Sequence, residues 1–212
     1  MTNEEGGVRM CRKLVLSVFV VLGLTSVTYA LQVSNFEGFI DTPDLLTALV
    51  GTTANETPTL SMSGHGGGQA LMATYNTWNS PWWSGTQLTF GGANGQNWTG
   101  MTTLTLWYEV VSAASHLQFD VYDIWGGPIA SNGFLTSSGL NKTPAGGWVQ
   151  LDIPLGTLTG NFTHAGRIQF VQKPNDYGSG VVLYDDITVT PEPATLVLLG
   201  LGGLAMLRRK RS

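Results

Sequence analysis

The chain has 212 residues, room for one ordinary domain and its targeting segments. Only 11% of residues are charged, yet 42% are hydrophobic and 10% aromatic, which excludes wholesale disorder. Between residues 31 and 190 only Lys142, Arg167 and Lys173 stand against eleven acids, a net of −8, and so acidic a body excludes a nucleic-acid-binding surface.

At the N-terminus Arg9, Arg12 and Lys13 precede an apolar run of eleven residues, 14–24. Small residues close the segment at Thr28-Tyr29-Ala30. This order is that of a secretory signal helix, and the run is too short to span a bilayer. Residues 1–30 are therefore a signal peptide; the competing reading is a buried core helix. Cys11 is the one cysteine of the chain and lies inside that leader. The mature body then holds no disulfide, and burial and strand pairing must supply its stability.

Residues 31–190 form one domain of short strand-like runs separated by Gly, Asn, Ser and Thr clusters. The predicted strands are 33–40, 58–62, 69–75, 86–90, 103–111, 116–124, 148–153, 166–171 and 181–189. No stretch of adequate length has a helical period. Alternation is clearest in 103–111, where Leu104, Leu106, Tyr108 and Val110 oppose Thr103, Thr105, Trp107 and Glu109. In the next run Leu117, Phe119 and Val121 oppose His116, Gln118, Asp120 and Tyr122. Four residues join the two runs, which predicts an antiparallel hairpin. One face is apolar and the other polar with aromatics, as in a two-sheet antiparallel β-sandwich wetted on its outer face.

Trp107, Glu109, Gln118, Asp120 and Tyr122 thus become candidate ligand-binding residues on one face. Sugar rings offer apolar C–H faces and hydroxyl edges, and flat aromatics beside carboxylates and amides suit both. Trp82, Trp83 and Trp125 sit in Gly- and Pro-containing loops where they could form a rim. Trp78, Trp98 and Trp148 read as core. Catalysis finds little support. The three histidines stand in no HExxH pattern, there is no GxSxG, and the mature chain has no cysteine nucleophile. Glu109 and Asp120 are the pair a glycosidase would need, but any two acids on a sheet could lie as close. We therefore read the protein as a non-enzyme.

The chain ends in three parts: Pro191-Glu192-Pro193, an apolar run over 194–207, and Arg208-Arg209-Lys210-Arg211. As a helix the fourteen apolar residues reach about 21 Å, short of a ~30 Å hydrocarbon core that snorkelling arginines help to bridge. The basic cluster belongs on the cytoplasmic side. This ending, residues 191–212, resembles the PEP-CTERM sorting signal of Gram-negative bacteria. The resemblance implies a transient anchor in the inner membrane, cleavage by an exosortase-type enzyme, and delivery to the cell surface or extracellular matrix. The physical alternative is a plain C-terminal anchor.

Several segments of the body also follow a known order. They are Phe36-Glu37, Asn97-Trp98-Thr99-Gly100, residues 104–108 (LTLWY), residues 148–155 (WVQLDIPL), Ile168-Gln169-Phe170 and residues 180–187 (GVVLYDDI). Together they resemble the galactose-binding-like β-jelly-roll of carbohydrate-binding modules. That resemblance implies a jelly-roll sandwich whose first and last strands are neighbours. It also implies a structural Ca2+ tying Glu37 to Asp185, with carbonyls from the Gly-rich loop 63–68. Adjacent Asp185 and Asp186 should point opposite ways on a regular strand. The resemblance implies non-catalytic association with extracellular polysaccharide. A structural or adhesive matrix protein with no sugar site is the alternative reading, and a small glycoside hydrolase the third.

Overall fold

The computed structural model describes residues 30–76, 84–112, 116–131, 147–155, 160–173 and 179–191. Its elements in chain order are β1 (Leu31–Ser34), α1 (Thr42–Thr47), β2 (Leu49–Val50), β3 (Glu56–Ser61), β4 (Ala70–Asn76), β5 (Ser84–Thr89), β6 (Met101–Ser112), β7 (His116–Asp123), β8 (Pro128–Ser131), β9 (Val149–Pro154), β10 (Ala165–Lys173) and β11 (Ser179–Pro191). A six-stranded sheet runs β3-β4-β11-β6-β9, with β1 also paired to β11; a five-stranded sheet runs β2-β5-β10-β7-β8. The expected two-sheet sandwich is present. The predicted signal helix and C-terminal hydrophobic helix lie outside the described residues. Among the described residues no helix is long and apolar enough to cross a membrane.

Period-two alternation builds each sheet's inner face. In the five-stranded sheet Leu49, Leu88, Ile168, Val121 and Ala130 lie in one cross-strand row, and all are buried. In the six-stranded sheet Leu71 pairs with Tyr184, Ala73 with Val182, and Leu106 with Leu151. The two inner faces lock through aromatic rings. Phe119 meets Phe170 edge-on at 5.9 Å and Tyr184 edge-on at 5.6 Å, while Phe170 and Tyr184 stack at 4.6 Å. Trp98 is fully buried against Phe90 and donates its indole N–H to Gln96 Oε1 at 3.1 Å, as its predicted core role requires.

Two expectations are corrected. The runs 103–111 and 116–124 are strands, but they do not pair as a hairpin: β6 lies in the six-stranded sheet and β7 in the five-stranded one. Alternation identifies inward residues equally well in either arrangement, so it could not separate them. The first predicted strand, 33–40, also ends early, at Ser34. Phe36 adopts φ +57, in the left-handed rather than the extended region, and its ring is buried in the core. The short helix α1 escaped the periodicity reading because six residues make under two turns. Its signals are local: Asp41 caps Asp44 N–H at 2.9 Å, and Pro43 occupies the first turn.

The core contains one polar seam between the sheets. Glu56 Oε2 accepts from Ser84 Oγ at 2.8 Å. The Gln172 amide nitrogen reaches Ser84 O (2.9 Å) and Glu56 Oε2 (3.1 Å), and its oxygen accepts from Tyr184 Oη at 2.6 Å. Glu56 Oε1 has no partner among the described residues. Gly180 is required beside this seam, because a Cβ there would overlap the Tyr75 hydroxyl. Burial pushes the Glu56 carboxyl up to about 7, against the opposing pull of the Ser84 hydrogen bond. An acid whose pKa is higher folded than unfolded contributes stability that is complete below the ordinary value of 4.5 and lost as pH rises through about 7. The stability of Glu56→Gln relative to the native chain should therefore grow between about pH 5 and about pH 8, by on the order of 3 kcal/mol. Thermal midpoints of the two proteins at both pH values check this; a constant difference would show that Glu56 titrates normally.

Candidate functional site

The outer face of the five-stranded sheet is a polar ladder. Cross-strand pairing aligns Thr89, Arg167 and Tyr122 in one row. The next row is Val50, Gln87, Gln169 and Asp120, and beyond it Gly85, Val171 and Gln118. Hydrogen bonds hold these side chains: Tyr122 Oη donates to Gln169 Oε1 at 3.3 Å, and Gln118 Nε2 to Asp120 Oδ2 at 2.7 Å. Burial first, and the Asp120 charge second, push the Tyr122 hydroxyl up, while Arg167 pulls it down. The phenol is therefore a neutral donor near pH 7.

The structure separates the five candidate ligand-binding residues into two groups. Gln118, Asp120 and Tyr122 share the ladder. Trp107 and Glu109 belong to the other sheet, so the single face predicted for all five does not exist, and Glu109 and Asp120 cannot form a hydrolytic pair across one cleft. Trp107 pairs across strands with Gln150 and lies under the Gly-rich loop. The His65 ring stacks on it at 3.9 Å and 14°, and Trp148, predicted as core, meets the same imidazole edge-on at 5.9 Å. Glu109 is buried. Sequence reasoning missed Arg167, Gln169 and Gln87. The signal was present in 166–171, where Arg167 and Gln169 alternate with Ile168 and Phe170.

One end of the ladder carries an exposed tryptophan on a braced turn. Asp123 Oδ1 accepts from Trp125 N (2.9 Å) and Gly127 N (2.7 Å), and Oδ2 from Asn161 N (3.0 Å). Burial opposes ionisation here, but the backbone N–H groups of Asn161, Gly127, Trp125 and Gly126 outweigh it and hold the carboxyl below the usual range. Gly126 closes the turn at φ +93. The turn presents Trp125 at 67% exposure, tilted against His164 at 4.8 Å. Arg167 Nη2 reaches beneath it to Ile124 O (3.3 Å) and Asp123 O (3.4 Å). Of the three predicted rim tryptophans, Trp82 and Trp83 lie outside the described residues, as does Trp78.

The acids of the two domain ends converge on the Gly-rich loop. Gln69 N donates to Glu37 Oε1 at 2.6 Å, His65 N to Asp185 Oδ2 at 2.8 Å, and His65 Nδ1 meets Asp186 Oδ2 at 2.8 Å. Asp185 and Asp186 therefore reach the same loop, contrary to regular alternation, because Asp186 adopts φ +46 and kinks β11. A Cβ at Gly68 would overlap the Glu37 carboxylate, and one at Gly64 would approach Asp185 Oδ2 within 2.7 Å. Burial chiefly, with the charges of Asp186 and Glu37, pushes the Asp185 carboxyl up to about 6 against two backbone hydrogen bonds. Among the described residues no group of three or more His, Cys, Asp or Glu has metal-centre geometry.

Residues 189–211 match the family model of the PEP-CTERM protein-sorting motif. This chain carries a PEP-CTERM sorting motif. The motif implies export and sorting to the cell surface. Within the PEP-CTERM stretch Val189 still pairs with Leu31, and Pro191 closes β11. Both ends of the sandwich thus leave from one strand pair. The other sorting residues, Glu192, Pro193, Arg208 and Arg209, lie outside the described residues. No curated protein is significantly similar in sequence. The fold is that of carbohydrate-binding modules. The family 11 module of the cellulosomal cellulase Lic26A-Cel5E of Clostridium thermocellum is 16% identical, with 78% of this chain and 96% of that one covered and a TM-score of 0.52. A family 30 carbohydrate-binding module is 17% identical, over 77% and 89%, with a TM-score of 0.53. An exo-β-agarase matches at 11%, over 76% of this chain and 25% of that one, with a TM-score of 0.55.

The Asp123 turn should weaken sharply without its carboxylate. In Asp123→Ala three amide donors lose their acceptor, and stability in urea should fall by about 2–4 kcal/mol. A loss under about 0.5 kcal/mol, the size of an ordinary surface substitution, would mean that the turn holds itself.

Proposed function

We propose that this PEP-CTERM protein is an exported surface or matrix protein that associates with extracellular polysaccharide, without catalysis, through the outer face of the five-stranded sheet. The observation that carries the reading is the ladder of Tyr122, Gln169, Gln87, Gln118, Asp120 and Arg167, a set of hydroxyl, amide and charged groups fixed by cross-strand register. Such groups hydrogen-bond sugar hydroxyls in fixed directions, and a rigid sheet lowers the ordering cost of binding. Family 11 and family 30 carbohydrate-binding modules of the same fold support it. In this reading the tail tethers the body to the inner membrane until an exosortase-type enzyme releases it.

The test is affinity electrophoresis against a panel of neutral and acidic bacterial and plant polysaccharides. At least one should retard the protein. Tyr122→Ala and Gln169→Ala should weaken that binding about tenfold, roughly the loss of one good hydrogen bond. Trp107→Ala should leave it unchanged, since His65 already occupies one face of that indole. No retardation by any polymer, with folded protein, would favour the structural or adhesive role instead.

We further propose that Glu37 and Asp185 take a structural Ca2+. What supports the reading is that two hard carboxylates from opposite ends of the domain, Glu37 and Asp185, reach the same loop, oxygen chemistry that Ca2+ prefers. Asp185 also stands in the field of Glu37 and Asp186, a charge that a cation would relieve. Bound Ca2+ would add an electrostatic tie between the first loop and the last strand. Adding Ca2+ to EGTA-treated protein should raise the thermal midpoint, and the rise should vanish in Glu37→Gln. An unchanged midpoint rejects the site.

A further inference from the structure

We infer that the polysaccharide bound by the five-stranded face bears uronic acid residues, and that Arg167, Trp125 and His164 form the subsite that takes one. This rests on the polysaccharide-binding reading above and specifies its ligand. Arg167 is the one lysine or arginine whose side chain lies among the described residues of an acidic body. It is unspent. Nη2 makes both of its protein contacts, to the backbone carbonyls of Asp123 and Ile124 at 3.4 and 3.3 Å. Nε is buried without a partner, and no described acceptor reaches Nη1. No described carboxylate lies in ion-pair contact with the guanidinium. Asp120, one row away on the same face, is turned to Gln118 instead.

A guanidinium anchored from behind by carbonyls through Nη2, with Nη1 meeting no described acceptor, is a receptor for an anion such as a carboxylate. Trp125 stands beside it. The indole is 67% exposed, which costs solvation free energy, and the Asp123 turn fixes the backbone that carries it. A flat, exposed ring suits the C–H face of a pyranose. His164 packs against that indole at 4.8 Å, with its Nδ1 held 2.6 Å from Thr163 Oγ1. A uronate presents both features at once, an apolar ring face and a carboxylate on its edge. A neutral hexose would leave the guanidinium unused. The charge of −8 on the body repels polyanions at long range, so the attraction must be local and directional, as a charge-assisted hydrogen bond from arginine to a carboxylate is.

The experiment changes the polymer before it changes the protein. Glucuronoxylan, polygalacturonate and alginate are each compared with their carboxyl-reduced forms by affinity electrophoresis of the purified exported protein, with EGTA present to exclude Ca2+ bridging. At least one acidic polymer should bind at least tenfold more tightly than its reduced form. Arg167→Gln should remove that preference, and Trp125→Ala should weaken binding to the acidic polymer. Equal binding of the acidic and reduced forms overturns the uronate subsite and leaves the polysaccharide reading intact, as does a preference that survives Arg167→Gln. Retention on sulfated polymers alone also overturns the subsite. Failure to bind any acidic or neutral polymer overturns both. Because carboxyl reduction needs no variant, the result does not depend on Arg167→Gln folding normally.

Discussion

Phe119, Phe170 and Tyr184 interlock across the gap between the two sheets, with centroid separations of 4.6–5.9 Å. A disulfide-free body must be held by such burial, because no covalent tie between the sheets exists. Fixing which faces turn inward also fixes which turn outward. On β10, Phe170 and Ile168 face the core, so Arg167 and Gln169 lie on the outer face, where both are half-buried. The candidate binding surface is in this sense the reverse side of the hydrophobic core. Its precision comes from strand register, since a one-residue slip of β10 would bury the arginine and expose both apolar side chains.

The two outer faces have different fates. The six-stranded sheet is covered by the Gly-rich loop, whose His65 stacks on Trp107 while its backbone holds Asp185. The five-stranded sheet keeps its polar ladder, edged at one end by the Trp125 turn. The asymmetry gives one face to holding the two ends of the domain together and leaves the other as the face proposed for recognition. β11 links these roles: Tyr184 packs in the core, Asp185 and Asp186 anchor the loop, and Pro191 begins the sorting tripeptide.

Legibility followed the range of each interaction. The alternation of Leu117, Phe119 and Val121 with Gln118, Asp120 and Tyr122 matches the inner and outer sides of β7, with Asp120 buried within the outer one. Trp107 and Glu109 were misassigned to that same face because a four-residue connection fits a hairpin and an inter-sheet crossing equally well. Trp98 was legible as core. Arg167 is a lone charge in its strand, and nothing local in the sequence ties it to the Trp125 turn. The Asp123 turn was overlooked because one buried carboxylate organises amides as distant in sequence as Asn161.

The sequence by itself determined the fold class, the acidic character of the body, its lack of disulfides and the tripartite sorting tail. These depend on composition, on period two and on local order along the chain. The tertiary structure alone decided which strands share a sheet, that His65 covers Trp107, and that Arg167 meets the Trp125 turn. It also decided that a left-handed kink at Asp186 brings two adjacent acids to one loop. Each of these joins residues far apart in sequence or depends on a single backbone dihedral, and neither leaves a periodic trace in the chain.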